Sequence, residues 1–182
     1  LAKEFGTPLY VYNAERVKQN FLEIASAFKE SSCSNFMIHY AMKANSNPAI
    51  LNILKGLGAG IDATSVGEVK LALKAGFPNN KIIFTGTSVS NAELQELIEL
   101  NVLINIDSFS QMRRMAKLGF KGKCSIRWNP GHGEELHIHS NIITAGKYVK
   151  FGIPQNKVLD AFEEAVSLNL NVVGFHQHIG SG

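Results

Sequence analysis

A lysine, two carboxylates, an arginine, and a serine set between glycines stand at the ends of short apolar runs in this sequence. Together they could handle a carbonyl compound that carries a phosphate. Lys43 ends the run FMIHYAM and precedes the polar turn ANSNP. A primary amine at the mouth of a buried strand is partly withdrawn from water, which favours the neutral nucleophile that condenses with an aldehyde. It is one of fourteen lysines, and position alone fits a strand-end lysine reaching back to water equally well. Asp62 and Glu68 flank Thr64-Ser65 after the run GAGI. Ser65 and Glu68 have the spacing of a helix N-cap and its partner three residues on, and a carboxylate near an ammonium keeps it charged. Arg127 lies inside SIRW, where a buried cation needs a partner such as Glu68, Asp62 or a stacked ring. In HQHIGSG, Ser181 with Gly180 and Gly182 would offer a hydroxyl and close backbone N–H groups to a phosphate, and His178 could stack on a flat ring. An ordinary glycine-rich turn would read the same way.

Other chemistries fit less well. His176 and His178 form an HxH pair, repeated by His137 and His139 with His132 nearby, as zinc-dependent barrel hydrolases use. No early HxH strand and later carboxylate set accompany them, so no metal is expected. A net charge of +3, scattered along the chain, does not point to nucleic acid, and Arg113-Arg114 and Lys121 to Lys123 read as solvated surface. No apolar run approaches the length of a membrane span, and the first residues lack the pattern of a signal peptide. The two cysteines, Cys33 and Cys124, form no CxxC, which fits a reducing, cytoplasmic setting.

The elements that must position these residues alternate. Strands are expected over 36–41, 60–63, 81–84, 102–106, 125–128 and 172–176. Helices are expected after Pro48, over 66–75, from the capping box Ser90-Asn91-Ala92-Glu93 through Leu100, over 109–118 and over 154–168. Strands alternating with helices call for a parallel sheet. Lys43, Asp62, Thr85, Asp107, Asn129 and His178 all fall at strand C-terminal ends, where a (β/α)8 TIM-type barrel keeps its active site. A doubly wound sheet would show a glycine-rich phosphate turn after the first strand, and none is there. Two segments break the alternation. Residues 1–35 hold a short strand, Leu9 to Tyr12, and an amphipathic helix from Ala14 to Lys29; Pro130 to Lys150 form a long polar loop. With about six strands the barrel is an incomplete portion, and a longer natural polypeptide is expected.

Collectively the segments FGTPLYVYN, YAMKANSNPAIL, GAGIDATSVGE, IIFTG, NIDS, RWNPGHGE, KFGI and FHQHIGSG resemble the fold-type III decarboxylases that depend on pyridoxal 5'-phosphate. YAMKAN and HIGSG together are the specific part of that likeness. The resemblance implies that Lys43 is the Schiff-base lysine, that His178 stacks on the cofactor ring, and that Ser181 and Gly182 begin the phosphate site. Asp62, Glu68 and Arg127 would form the polar network beside lysine and ring. It implies a barrel over 13–182, with residues 1–12 lending a strand to a separate C-terminal β-domain that this chain lacks. Homodimers with shared active sites are implied too. The implied reaction is amino-acid decarboxylation, in the nearest branch meso-diaminopimelate to L-lysine. Arginine, ornithine or carboxynorspermidine chemistry, and a barrel that binds the cofactor without turnover, are the alternatives. The chain departs from the family at Val149, where relatives often carry Ser before Lys-Phe-Gly, and in the loop GHGEELHIH.

Overall fold

The short apolar runs become strands of one parallel sheet in the computed structural model, which describes residues 1–33, 35–131, 146 and 149–178. In chain order the helices and strands are α1 (Ala2–Phe5), α2 (Ala14–Glu30), β1 (His39–Ala41), α3 (Pro48–Gly56), β2 (Gly60–Ala63), α4 (Val66–Lys74) and β3 (Ile82–Phe84). There follow α5 (Asn91–Leu100), β4 (Leu103–Ile106), α6 (Phe109–Lys117), β5 (Lys123–Asn129), β6 (Ile153–Pro154), α7 (Val158–Ser167) and β7 (Asn171–His176). β1 to β6 lie side by side in chain order, every neighbour parallel, and β7 pairs with β5 as well. A doubly wound sheet reverses direction at a switch point, whereas this path never does; it is the winding of a (β/α) barrel.

Alternation along each strand divides the labour. Ile61, Ala63, Ile82, Phe84, Ile104, Ile106 and Ile126 join one buried cluster with Leu51, Val69, Leu94, Leu97, Met112, Met115 and Ala161 from the helices. Each such large side chain contributes about 1.5–3 kcal/mol on burial. The residues between them, which point to the other face, are Asp62, Asn105, Ser125 and Arg127, continued past the strand ends by Thr85 and Asp107. A one-residue slip would exchange the two sets, so burial of the apolar set also fixes where the polar set points.

The helices start and stop where local chemistry dictates. Asn13, Asn47, Ser65, Ser90 and Ser108 each accept a backbone N–H in the first turn of the helix that follows, and Pro48 sits in the first turn of α3. Gly76 ends α4 at φ +86°, and Asn101 and Asn169 take the same left-handed conformation after α5 and α7.

Several expectations change. Among the described residues there are seven strands, because Ile153–Pro154 pairs with Trp128–Asn129 at the far end of β5; two residues are too short to show alternation. The last helix consequently starts at Val158, after a 3-10 turn over Gln155–Lys157, and not at Pro154. The first strand shrinks to His39–Ala41, which pairs only with β2 among the described residues. Residues 9–12 form no strand here and pair with no described strand; Tyr10, Val11 and Tyr12 are exposed. Four residues before them form α1, which alternation did not reveal. β7 carries an extra residue, Val173, where its register against β5 shifts.

Candidate active site

Lys43 follows Met42, whose backbone N–H donates to the Asp62 carbonyl at 3.2 Å just past the end of β1. That bond brings the lysine level with the end of β2. Its side chain is exposed, contrary to the burial the sequence suggested; β1 is an edge strand that pairs only with β2 among the described residues.

Two polar groupings stand behind it. In the first, Thr85 donates its hydroxyl to Asp62 Oδ1 at 2.6 Å, Asn105 Nδ2 donates to Thr85 Oγ1 at 2.7 Å, and Ser125 Oγ donates to Asn105 Oδ1. In the second, Asp107 accepts from Arg127 Nη1 at 3.2 Å, from Thr87 Oγ1 at 2.7 Å and from the Gly152 N–H at 3.0 Å. Arg127 therefore pairs with Asp107 and not with Asp62 or Glu68 as expected. The register explains it: Ile106 lies opposite Ile126, so the next residues, Asp107 and Arg127, come abreast. The guanidinium also lies 4.6 Å from the centre of the Phe151 ring. Gly152 is required beside it, for its φ is +75° and a Cβ would come within 3.0 Å of the Arg127 carbonyl oxygen.

Glu68 is turned to local work. Its carboxylate accepts from the Thr64 N–H at 2.6 Å and the Thr64 hydroxyl at 3.1 Å, while its own N–H donates to the capping Ser65. His176 is in register beside Arg127 on β7, and His178 follows two residues later. Asn129 ends β5 by accepting from the N–H groups of both Gly131 and Gly146 and donating to the Gly146 carbonyl. Ser181, Gly182, His132, His137 and His139 lie outside the described residues.

Lys43, Asp62, Thr85, Arg127, His176 and His178 line one cavity of about 260 Å³. Thr64, Gly86, Thr87 and Phe151 complete its wall. Burial pushes the Asp62 carboxyl up; the Thr85 hydrogen bond, Lys43 and His39 pull it back, and Glu68 pushes it further up. Burial drives His176 down to about 4, with repulsion from Arg127 and His178 acting the same way and Asp107 opposing. His178 is lowered by burial, then by Lys43 and Arg127. Both imidazoles are thus neutral at pH 7. Among the described residues no three His, Cys, Asp or Glu converge as a metal site would require.

Of the site residues expected from sequence, Lys43, Asp62, Arg127 and His178 come together. Sequence reasoning gave no role to His176, Thr87, Asn105 or Phe151. The period-two placement of Asn105 and the HxH spacing were the visible signals.

Residues 14–182 match the model of the pyridoxal-dependent decarboxylase family, in its pyridoxal binding domain. The chain belongs to this family. Pyridoxal-dependent decarboxylases similar to it include the diaminopimelate decarboxylases of Methanothermobacter thermautotrophicus and Helicobacter pylori strain J99. The first is 42% identical over 100% of this chain and 42% of that protein. The second is 39% identical over 100% of this chain and 45% of that protein. The crystal structure of diaminopimelate decarboxylase from Helicobacter pylori complexed with L-lysine superimposes with a TM-score of 0.87 at 34% identity, over 100% of this chain and 47% of that one. The chain thus spans less than half the length of these family members. Its cavity fits the family's cofactor on its own chemistry. It holds a primary amine and a guanidinium, with Asp62 the one carboxylate in its described lining. The buried His176 Nδ1 has no hydrogen-bond partner among the described residues, and a bound ligand atom could supply one.

Proposed function

We propose that this chain is the cofactor-holding part of a diaminopimelate decarboxylase, which releases CO2 from meso-diaminopimelate and leaves L-lysine. The observation that carries the reading is the convergence of Lys43, Asp62, Arg127 and His178 on one cavity at the C-terminal ends of the strands. The name borne by its relatives supports the substrate.

Lys43 Nζ would hold the cofactor aldehyde carbon until a substrate amine displaces it. Nζ would then be free to carry a proton at the same place. Asp62 is the carboxylate in the described lining, and the Lys43 charge helps to offset the burial that pushes its carboxyl up. His178, neutral and on the rim, would lie against the ring face. Arg127, fixed by Asp107 and stacked on Phe151, would support the ring from the side without swinging into it. Glu68 would act through Thr64, and Ser181 and Gly182 would offer a hydroxyl and an N–H to the phosphate. When bound, the cofactor supplies a ring that takes up the electron pair left on the substrate carbon as CO2 departs. Residues 1–12, ahead of the family match and exposed at Tyr10 to Tyr12, would join a separate β-domain. Homodimers with shared sites, and a cytoplasmic setting, complete the proposal.

The test uses the full-length protein. Borohydride should fix the cofactor to the peptide that contains Lys43, and Lys43→Ala should abolish the visible band while the fold is kept. CO2 release should be fastest with meso-diaminopimelate. A retained covalent adduct in Lys43→Ala overturns the site, and faster turnover of ornithine, arginine or lysine overturns the substrate.

A further inference from the structure

The row that ends on Asp62 crosses four strands, and every bond in it has a fixed sense. A side-chain amide has one accepting and one donating end. Asn105 accepts from Ser125 at Oδ1, so its Nδ2 is the end that meets Thr85. The Thr85 oxygen is then occupied as an acceptor, and its single proton goes to Asp62 Oδ1. Asn105 is 2% exposed and Ser125 6%, so both are buried. Asn105 is not among the cavity's lining residues, yet its amide sets which way the Thr85 hydroxyl points.

We propose that Asn105 is a positioning residue for Asp62: through Thr85 it holds a donor on the carboxylate and so keeps it in the ionised form that faces Lys43. This rests on the proposed role of the Lys43 site. An Asn105 that only satisfied its own hydrogen bonds, without orienting Thr85, would affect stability but not the titration of Asp62. The other charged and titratable groups that act on Asp62 are His39 on β1, Glu68 on α4, Arg127 on β5 and His178 beyond β7. The variants below leave all of them in place.

The experiment reads Asp62 directly. The full-length protein is prepared without cofactor and with carboxyl-13C aspartate, and the Asp62 signal is assigned by its loss in Asp62→Asn. Thr85→Val keeps the shape and removes the donor. Asn105→Asp offers Thr85 a competing carboxylate. Each should raise the Asp62 midpoint by about one pH unit, the size expected for one hydrogen bond to a charged group. Thr85→Ser, which keeps the hydroxyl, should leave it within a few tenths. In the loaded enzyme the acid limb of kcat/KM should move by the same amount in the same variants. An Asp62 midpoint unchanged in both Thr85→Val and Asn105→Asp overturns the proposal, whatever happens to the melting temperature. Should Asn105→Asp fail to fold, Ser125→Ala frees the amide to turn: an upward shift supports the proposal and none overturns it. Because the titration needs no cofactor, absence of decarboxylation by the wild type would count against the function and not against the relay.

Discussion

Asp107 holds an arginine, a threonine and a backbone N–H with one carboxylate, and the Asp107 and Arg127 side chains are only 7% and 8% exposed. Taking away one partner of such a pair leaves the other charge buried and uncompensated. Asp107→Asn is therefore expected to cost about 3 kcal/mol in urea unfolding. The double variant Asp107→Asn, Arg127→Met should recover part of that loss, and a loss as large as in the single variant would contradict the argument. His176 makes a pH-dependent contribution. Its folded value of about 4 lies below the ordinary 6.5, so protonation favours the unfolded chain. Stability is intact above pH 6.5 and falls as the pH drops toward 4, by at most about 3 kcal/mol. The raised Asp62 carboxyl acts in the opposite sense, gaining stability on acidification. Comparing wild type with His176→Asn at each pH isolates the histidine: the difference between them should shrink steadily below pH 6.5.

Elements were more legible than contacts. The capping box at Ser90 and Glu93 and the apolar runs of β2 to β4 are local patterns, and the folded helices and strands follow them closely. What escaped depends on register or on distant partners. The pairing of Asp107 with Arg127 requires knowing that Ile106 meets Ile126. β6 exists only because the end of β5 is free to receive two residues, and the exposed Lys43 follows a strand at the sheet's edge. Two substitutions probe this level. Ser90→Ala should cost about 1 kcal/mol through the lost cap, read as a lower melting temperature with kcat unaltered. Gly152→Ala places a side chain at φ +75° against the Arg127 carbonyl, and should cost about 1–3 kcal/mol and lower kcat as well, because the N–H it displaces is bound to Asp107.

For the whole molecule, the sheet has β1 at one end and β7 near the other, and each pairs on one side only among the described residues. Apolar side chains are exposed beside β7, with Leu159 at 77% and Phe175 at 56%. Strand edges of this kind pair with whatever backbone they meet. Residues 1–182 made alone should self-associate, seen as a sedimentation coefficient that rises with concentration, and charged residues at Val173 and Phe175 should suppress it. A monomer at all concentrations would contradict this. The fork in β5 has a further consequence. Its first part is bonded to β7 and its last two residues to β6, while Asn129 ties Gly131 to Gly146. Gly131 and Gly146 are therefore held together at one side chain, whatever sequence joins them. Doubling the number of residues that join them would cost the fold only about 0.6 kcal/mol in closure entropy. Selection can thus rewrite that connecting text while the strands on either side remain as they are.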